Sequence, residues 1–224
     1  EPYRRQRQMC IRDSYGGSEK SVIQGNFPEQ FRSAETADLF MTLISYRLKK
    51  NGRAAVVIPD GFLFGSGAKR AIKERLFTKF NVHTIVRLPT SVFAPYTSIA
   101  TNVIFFDNTE PTKETWFYRV DMPEGYKHFS KTKPMLLEHL KELDAWWTDR
   151  KSISVDGFDK ARSYTPEELK NNDYNLDLCG FPQEEEEILP PKELIEKYQA
   201  DREARERVMD EMLSKILAKI GEEE

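Results

Sequence analysis

The sequence predicts an α/β fold in which helices alternate with the strands of a parallel sheet. The first indication is an unbroken apolar run from Ala54 to Ile58, which lacks the polar alternation of a half-exposed strand. Such runs are typical of central strands that are buried on both faces. The second indication is the order of elements, since a helical pattern precedes this run and another helix, a strand at 82–88 and a strand at 102–106 follow it. We expect the functional site beyond the carboxyl ends of the strands, where open α/β sheets bind their ligands.

Two helices flank the predicted central strand. Ser33 is placed to cap the first helix and Gly52 to end it. The apolar positions of this helix are three and four residues apart, and they are Ala37, Phe40, Met41, Ile44 and Leu48. The second helix begins at Ser66 or Gly67, and its apolar ridge consists of Ala68, Ile72, Leu76 and Phe80.

The first turn of the second helix carries two cations, Lys69 and Arg70. Positive charge at a helix N-terminus opposes the helix dipole and costs a few tenths of a kcal/mol for each exposed side chain. One interpretation is that both side chains are simply solvated. The other is that they face a phosphate, which would offset this cost.

The region after the predicted sheet has fewer signals. Residues 115–120 alternate loosely, which predicts an added edge strand, and Pro134 precedes a helix. The apolar face of that helix consists of Leu136, Leu137, Leu140, Leu143 and Trp147, and we expect Trp146 and Trp147 to lie in the core. Residues 151–182 are predicted to be irregular, apart from a short helix capped by Thr165 with Pro166 at its first position.

Charge separates an acidic tail from a mildly basic body. From residue 183 onward there are 14 acids against 7 bases, net −7, which leaves 23 acids against 27 bases, net +4, in the rest of the chain. The tail shows a heptad seam that is apolar at both ends and charged in the middle: Ile195, Tyr198, Arg202, Arg205, Met209, Met212 and Ile216. A single solvated helix and a helix that pairs with a partner both fit this pattern.

Several classes of protein and site are not indicated. Two cysteines, Cys10 and Cys179, are too few for a disulfide framework and fit a reducing cytosol. There is no apolar run of membrane-spanning length and no signal-peptide pattern, so we predict a soluble, cytoplasmic protein without a membrane partner. The three histidines are scattered without metal-ligand spacing, so no metal is expected. Neither a Gly-x-Gly-x-x-Gly turn nor a Walker loop is present, so no nucleotide-binding loop of either kind is indicated.

One loop stands out as a candidate site. Residues 88–99 join two predicted strands and contain two prolines and two aromatic residues, Phe93 and Tyr96. A rigid loop with exposed aromatic faces can stack on nucleic-acid bases, each worth about 1–3 kcal/mol. The alternative is that both rings only cover the end of the sheet.

The segment from Tyr15 to about Asp177 resembles the methylation subunit of type I restriction-modification systems, which is an adenine-N6 DNA methyltransferase. The resemblance rests on motifs that occur in order, the longest being Asn51-Gly-Arg-Ala-Ala-Val-Val-Ile-Pro-Asp-Gly-Phe-Leu-Phe-Gly65. Further matches are Tyr15-Gly-Gly-Ser-Glu19, Glu35-Thr-Ala-Asp-Leu-Phe40, His83-Thr-Ile-Val-Arg-Leu-Pro89, Ser130-Lys-Thr-Lys-Pro134 and Asp173-Tyr-Asn-Leu-Asp177. The resemblance implies the C-terminal half of a Rossmann-like sheet, S-adenosylmethionine as methyl donor and a flipped adenine in DNA as acceptor.

The resemblance also assigns individual positions. The family's catalytic Asn-Pro-Pro-Phe/Tyr motif falls at Arg12-Asp13-Ser14-Tyr15, where only the aromatic residue matches, so we expect no intact catalytic motif and no activity from this chain alone. Phe40 takes the place of the aromatic residue that lies against the cofactor's adenine. Tyr15 and Phe93 take the places of the two aromatics that stack on the target base.

The resemblance divides the chain into four segments. Residues 1–14 are either a disordered leader or foreign sequence, and 15–122 are the C-terminal half of the catalytic domain. Residues 123–182 form a family-specific extension, and 183–224 form an acidic linker and a long charged helix that docks on the specificity subunit. The implied partners are DNA and the specificity and restriction subunits. The alternative function is a non-enzymatic DNA-binding or assembly module that uses the basic body and the helical tail.

Overall fold

The computed structural model describes residues 17–182 and, within the C-terminal segment, positions 195, 198, 199, 202, 203, 205–207, 209, 210 and 212–214. The chain divides into two units, Glu1–Pro182 and Gln183–Glu224. In the first unit the helices are α1 (Ser21–Gln24), α2 (Thr36–Arg47), α3 (Gly61–Phe64), α4 (Ala68–Lys79), α5 (Lys141–Thr148) and α6 (Pro166–Asn171). The strands are β1 (Arg53–Pro59), β2 (Asn81–Arg87), β3 (Thr101–Asp107), β4 (Thr115–Arg119), β5 (Ile153–Val155) and β6 (Phe158–Tyr164), and short 3₁₀ helices lie at Glu29–Phe31 and Leu137–Leu140.

The described strands form one mixed sheet of six, in the order β1-β3-β2-β4-β6-β5. Only β2 and β4 pair in parallel, and all other neighbours are antiparallel. The mixed α/β architecture is confirmed, but the expectation of a parallel sheet is wrong. Because β3 runs opposite to both β1 and β2, these two strands and β4 nevertheless point in the same direction.

The expected position of β1 in the middle of the sheet is also wrong. Within the described residues β1 is the first strand of the sheet, and exposed and more buried residues alternate along it. Ile58 is buried against the helices, whereas Ala55 and Val57 lie exposed on the other face. The apolar run predicted double-sided burial because both sets of side chains are apolar, and composition cannot tell which of the two faces is covered.

Helices cover the two faces of the sheet unequally. A large core joins β1 to β4 with α2, α4 and α6, and its most buried members include Met41, Ile58, Leu63, Ile72, Ile85, Phe106 and Phe117. On the other face α5 covers the second half of the sheet through Trp146, which packs with Val86, Tyr118 and Ala161. The prediction that Trp146 and Trp147 belong to the core is confirmed, since Trp146 is buried and Trp147 packs against this second cluster.

The predicted helix ends differ in detail from the observed ones. Ser33 does not cap α2, which begins at Thr36; its hydroxyl accepts from the Glu35 N–H at 3.1 Å and donates to Asp38 Oδ2 at 2.6 Å. After α2 it is Asn51, not Gly52, that takes the left-handed conformation, with φ of 59°. Gly52 serves a close approach instead, because a Cβ there would lie 2.8 Å from the Lys49 carbonyl oxygen.

Two predictions for residues 115–182 are corrected. β4 is not an edge strand, because it lies between β2 and β6 with four of its five residues buried. Residues 151–182 are not irregular, since β5 and β6 form a hairpin whose turn residues Asp156 and Gly157 have φ of 52° and 82°. An Asp-Gly pair is a strong hairpin signal, and it was present in the sequence. The Thr165 cap is confirmed, with Thr165 Oγ1 accepting from Glu168 N at 3.3 Å.

The C-terminal unit is described only at single positions. Those positions have helical backbone, and Ile195, Tyr198, Met209 and Met212 are all exposed. The long charged helix over the whole segment stays a prediction, as do the predicted segment boundaries, although the sheet contains strands from both sides of residue 122. Over the described residues, no helix is long and apolar enough to cross a membrane.

The hairpin turn allows a test of backbone conformation alone. An added Cβ would meet nothing within 4 Å at either Gly157 or Gly61, but only Gly157 has a positive φ. Gly157→Ala should therefore lower the free energy of unfolding by about 1 kcal/mol, because the left-handed conformation is unfavourable for alanine. Gly61→Ala is the matched control and should not destabilise. Urea denaturation measures both, and equal effects would contradict the assignment of the turn.

Candidate functional site at the carboxyl edge of the sheet

The carboxyl ends of β1, β2 and β4 lie at the same edge of the sheet. Pro59 at the end of β1 is paired with Thr101 at the start of β3, and Arg87 at the end of β2 is paired with Asn102. Arg87 is also in register with Arg119, the last residue of β4. This edge is therefore where side chains from four strands meet, and it is the position at which open α/β sheets bind ligands.

Arg87 is the centre of a polar network at this edge. It is 4% exposed, its Nη2 donates to Asp60 Oδ1 at 3.0 Å, and its Nη1 donates to Asp177 Oδ1 at 2.5 Å and to the Leu178 carbonyl at 3.1 Å. Asn102 Nδ2 donates to the same Asp60 oxygen at 3.0 Å. A buried guanidinium needs such acceptors, because its desolvation is otherwise uncompensated. The network therefore holds together the ends of β1 and β2, the start of β3 and the segment that follows α6.

Arg119 repeats this arrangement on the adjacent strand. It is 1% exposed, its Nε donates to Asp121 Oδ1 at 2.6 Å, and its Nη1 donates to the Gly180 carbonyl at 2.5 Å. Two buried arginines at the ends of neighbouring strands thus bind the segment 177–180. Arg87 binds the carboxylate of Asp177, and Arg119 binds the backbone carbonyl of Gly180. The segment is therefore fixed at two points along the carboxyl edge of the sheet.

The loop after β2 has a fixed shape. It is closed by backbone hydrogen bonds from Leu88 N to Thr101 O at 2.9 Å and from Ala94 N to Ser91 O at 2.9 Å. Ser91 is buried and has a φ of 61°. Phe93 is half-buried, and Tyr96 is 81% exposed. The loop therefore holds two aromatic side chains with accessible surface at the carboxyl edge.

A cleft of about 480 Å³ lies beside the end of β1. It is lined by Ser33, Glu35, Asp38, Gly61, Phe64, Gly65, Ser66, Ala68 and Lys69. Lys69 Nζ lies 2.6 Å from Glu35 Oε1 and 2.7 Å from Asp38 Oδ2, so this cation joins α4 to the start of α2. Part of the lining is small, since it includes Gly61, Gly65, Ser66 and Ala68, and these residues leave the cleft open.

Asp38 is the buried carboxylate of this cleft. It is 1% exposed, and its Oδ2 accepts from both Ser33 Oγ and Lys69 Nζ. Its Oδ1 is buried and has no hydrogen-bond donor among the described residues. The sequence analysis did not single out Asp38, because an acidic residue in the first turn of a helix is ordinarily a solvated one that favours the helix dipole.

Lys73 supports the loop that lines the cleft. It is 1% exposed, and its Nζ donates to the Leu63 carbonyl at 2.6 Å and the Gly65 carbonyl at 3.1 Å. Burial lowers the pKa of this amine to about 8. The sequence analysis also missed this residue, which lies on the predicted apolar side of α4 directly after Ile72.

The predicted site residues fall into three groups, which are residues 12–15, the two aromatic residues Phe40 and Phe93, and the two cations Lys69 and Arg70. Arg12, Asp13, Ser14 and Tyr15 lie outside the described residues. Phe40 is half-buried in α2, and Phe93 lies in the loop after β2. Their predicted roles toward cofactor and base are not tested by this arrangement and stay predictions.

Lys69 and Arg70 carry their charge in ion pairs. Lys69 binds the two carboxylates of the cleft. Arg70 pairs with Glu74 at 3.0 Å and also with Asp173. A phosphate would have to compete with these carboxylates, and the phosphate role of both residues remains a prediction. In the part of the chain that the structure describes, no three potential ligands of the His, Cys, Asp and Glu types are grouped to hold a metal ion.

The contribution of the Arg87 network can be tested by measuring the free energy of unfolding. Arg87→Met leaves Asp60 and Asp177 without their shared cation, and we expect the free energy of unfolding to fall by about 3 kcal/mol. The control is Arg162→Met, which removes a guanidinium that is 51% exposed and paired with Asp159. That loss should stay below about 1 kcal/mol. Chemical denaturation of both variants checks the prediction, and losses of similar size would show that burial does not distinguish the two arginines.

The chain is similar to methylase subunits of type I restriction enzymes. The methylase subunit of the type I restriction enzyme EcoEI from Escherichia coli is 43% identical over 190 residues, which cover 84% of this chain and 39% of that protein. The methylase subunit of the type I restriction enzyme EcoKI from E. coli strain K12 is 37% identical over 116 residues, covering 47% of this chain and 21% of that protein. The chain thus spans about two-fifths of the length of the first of these relatives, and less of the second.

Two solved structures are similar as well. A modification subunit assigned to a type I restriction enzyme of Vibrio vulnificus YJ016 superimposes with a TM-score of 0.64 at 46% identity, covering 69% of this chain and 32% of that one. A chain from a study of complex assembly in the type I R-M system gives a TM-score of 0.65 at 34% identity, covering 91% and 43%. Finally, the family model for N-6 DNA Methylase matches residues 13–188, which is most of the sequence. The chain therefore belongs to the N-6 DNA methylase family.

Proposed function

We propose that this chain is part of a site-specific DNA methyltransferase that transfers a methyl group from S-adenosylmethionine to N6 of adenine within a type I restriction-modification complex. Membership of the N-6 DNA methylase family supports the reaction class. The similarity to a methylase subunit of a type I restriction enzyme supports the assembly. The proposed partners are DNA, the specificity subunit and the restriction subunit.

The observation that carries this proposal is the aromatic loop at the carboxyl edge of the sheet. The loop follows directly after Arg87, whose buried network fixes both ends of it through β2 and β3. Extruding an adenine from a duplex costs a few kcal/mol, and stacking against a ring that is already held in place returns part of this. Phe93, half-buried on this loop, is proposed to supply one such surface, and Tyr15 the other.

The cofactor is proposed to lie near the start of α2, with Phe40 against its adenine. S-adenosylmethionine would supply the methyl group. The chain's own contribution in this region is the cleft with the buried Asp38, whose Oδ1 lacks a donor among the described residues and would accept from a ligand N–H or O–H that reaches it. A buried acceptor without a partner is costly, so a ligand that supplies the hydrogen bond would be favoured.

The order of strands supports the finer fold assignment that we propose, a Rossmann-like methyltransferase sheet. β1 and β2 point in the same direction and β3 lies between them in the opposite direction. The C-terminal segment is proposed to form a charged helix that docks on the specificity subunit. Its exposed apolar side chains, among them Ile195, Tyr198 and Met212, suit such a contact.

We propose further that the chain by itself does not methylate DNA. The sequence has Arg12-Asp13-Ser14 where the family's Asn-Pro-Pro would hold the adenine amino group, and no Gly-x-Gly-x-x-Gly turn occurs in it. Isothermal calorimetry should therefore detect no binding of S-adenosylmethionine at low-micromolar concentrations, with an intact relative as the positive control. Binding of the cofactor in that range would contradict this part of the proposal.

The stacking role of Phe93 is tested in an intact relative, at the aromatic residue that aligns with it. Replacement by alanine should weaken binding to DNA with an extruded base by about 1–3 kcal/mol, because one stacking surface is lost. The melting temperature should change little, since the ring is half-buried. Fluorescence titration with 2-aminopurine at the target position and thermal melting measure the two effects. An unchanged affinity together with a large fall in melting temperature would show that the ring only covers the end of the sheet.

A further inference from the structure

A cluster of lysines lies on the segment between β4 and α5. Lys127, Lys131 and Lys133 are exposed, and none of them has a carboxylate oxygen within ion-pair distance among the described residues. Residues 123–134 contain one acid, Glu124, against these three lysines. The segment therefore presents uncompensated positive charge, which contrasts with the ion-paired Lys69 and Arg70.

The backbone of this segment is organised as a tight turn. Ser130 N donates to the Lys133 carbonyl at 3.0 Å, and Lys133 N donates back to the Ser130 carbonyl at 3.2 Å. The Ser130 hydroxyl oxygen also accepts from Lys133 N at 3.1 Å and lies 3.1 Å from the Thr132 hydroxyl. Lys131 and Thr132 form the tip of this turn. Its backbone is already fixed by these hydrogen bonds before a ligand binds.

The turn is attached directly to the aromatic loop. Phe129, 1% exposed, donates its N–H to Ser91 Oγ at 2.8 Å, and its ring packs between Tyr126 and His139 with centroid distances of 5.7 Å to each. Ser91 is two residues before Phe93. The lysine cluster and the proposed base-stacking ring are therefore held by one continuous set of short contacts.

We propose that the surface formed by Lys127, Lys131 and Lys133 binds the phosphate backbone of DNA beside the base that the aromatic loop contacts. This inference rests on the proposed function, which supplies the DNA. Lysine ammonium groups are point charges that attract phosphate without distinguishing bases, so they would position the duplex and leave recognition of sequence to other groups. A nucleic-acid backbone carries regularly spaced phosphates, so it can contact all three lysines of this ordered segment. A partner with a single carboxylate could contact only one of them at a time.

The test is the salt dependence of DNA binding by the full chain carrying Lys127→Gln, Lys131→Gln and Lys133→Gln together. Binding to a short fluorescent duplex is followed by anisotropy over a range of salt concentrations. Each phosphate contact contributes about 0.9 to the slope of log K against log salt, so the slope should fall in magnitude by about 2–3. The affinity at low salt should fall about tenfold or more, and the difference should shrink as salt is added.

The chain offers a control with the same change in charge. Lys49, Lys50 and Lys79 are also exposed, but they precede the starts of β1 and β2 and so lie at the opposite edge of the sheet. Their triple Gln variant should keep the slope and affinity of the unmodified chain. Equal losses in both triple variants, or an unchanged slope in the first, would overturn the proposed surface. Unchanged melting temperatures would exclude unfolding as the cause of any loss.

A third variant separates this inference from the proposed function. Phe93→Ala should weaken binding to a duplex with a mismatched adenine, which is extruded at lower cost, without changing the salt slope. Weakened binding here together with an unchanged slope in the lysine variant would overturn the surface and support the function. The reverse result would support the surface and overturn the role of Phe93. No DNA binding by the unmodified chain at low salt would overturn the surface, whereas the role of Phe93 is decided in the intact relative.

Discussion

The buried guanidinium of Arg87 is the contact on which the carboxyl edge depends. It lies between carboxylates from two distant parts of the chain, Asp60 after β1 and Asp177 after α6. Removing it would leave two acids facing each other, and this explains why a group that is costly to bury is retained at the end of a strand. The aromatic loop starts at the next residue, so this ion pair fixes the position from which the loop begins. A loop that must meet a base in one orientation gains from such an anchor, because less order has to be imposed on binding.

Buried or half-buried cations recur around this edge, and each is satisfied in a different way. Arg119 uses a carboxylate and a backbone carbonyl, Lys73 uses two carbonyls, and Lys69 uses two carboxylates. The common result is that loops are fixed by polar contacts where there is little room for apolar ones. Apolar burial orders the centre of the sheet, whereas at its end the chain has to leave the core, and backbone carbonyls there need donors. Long cationic side chains reach them from the strands and from α4.

A structural feature could be predicted from the sequence when the residues that form it lie close together along the chain. The ridge of α4 was predicted correctly because Ile72 and Leu76 reveal a period that is local to the helix. The antiparallel course of β3 could not be predicted, because the apolar residues of a strand are the same whether its neighbours are parallel or antiparallel. The β5–β6 hairpin could have been predicted from Asp156-Gly157, a local signal. Arg87 and Asp177 are 90 residues apart, and nothing in the sequence near either residue indicates the other.

The same distinction applies to the aromatic loop, where periodicity leaves two uses open and the resemblance names one of them. Spacing alone left open whether Phe93 covers the end of the sheet or faces a ligand, and the structure shows a half-buried ring for which both uses remain physically possible. What the structure adds is the set of contacts behind the loop. The hydroxyl of Ser91 accepts from a backbone N–H of the lysine-bearing segment, while its carbonyl closes the turn that carries Phe93. The segment that carries the lysines is therefore bonded to the same residue that closes the turn before Phe93, as a surface that contacts a base and its flanking phosphates at the same time would require.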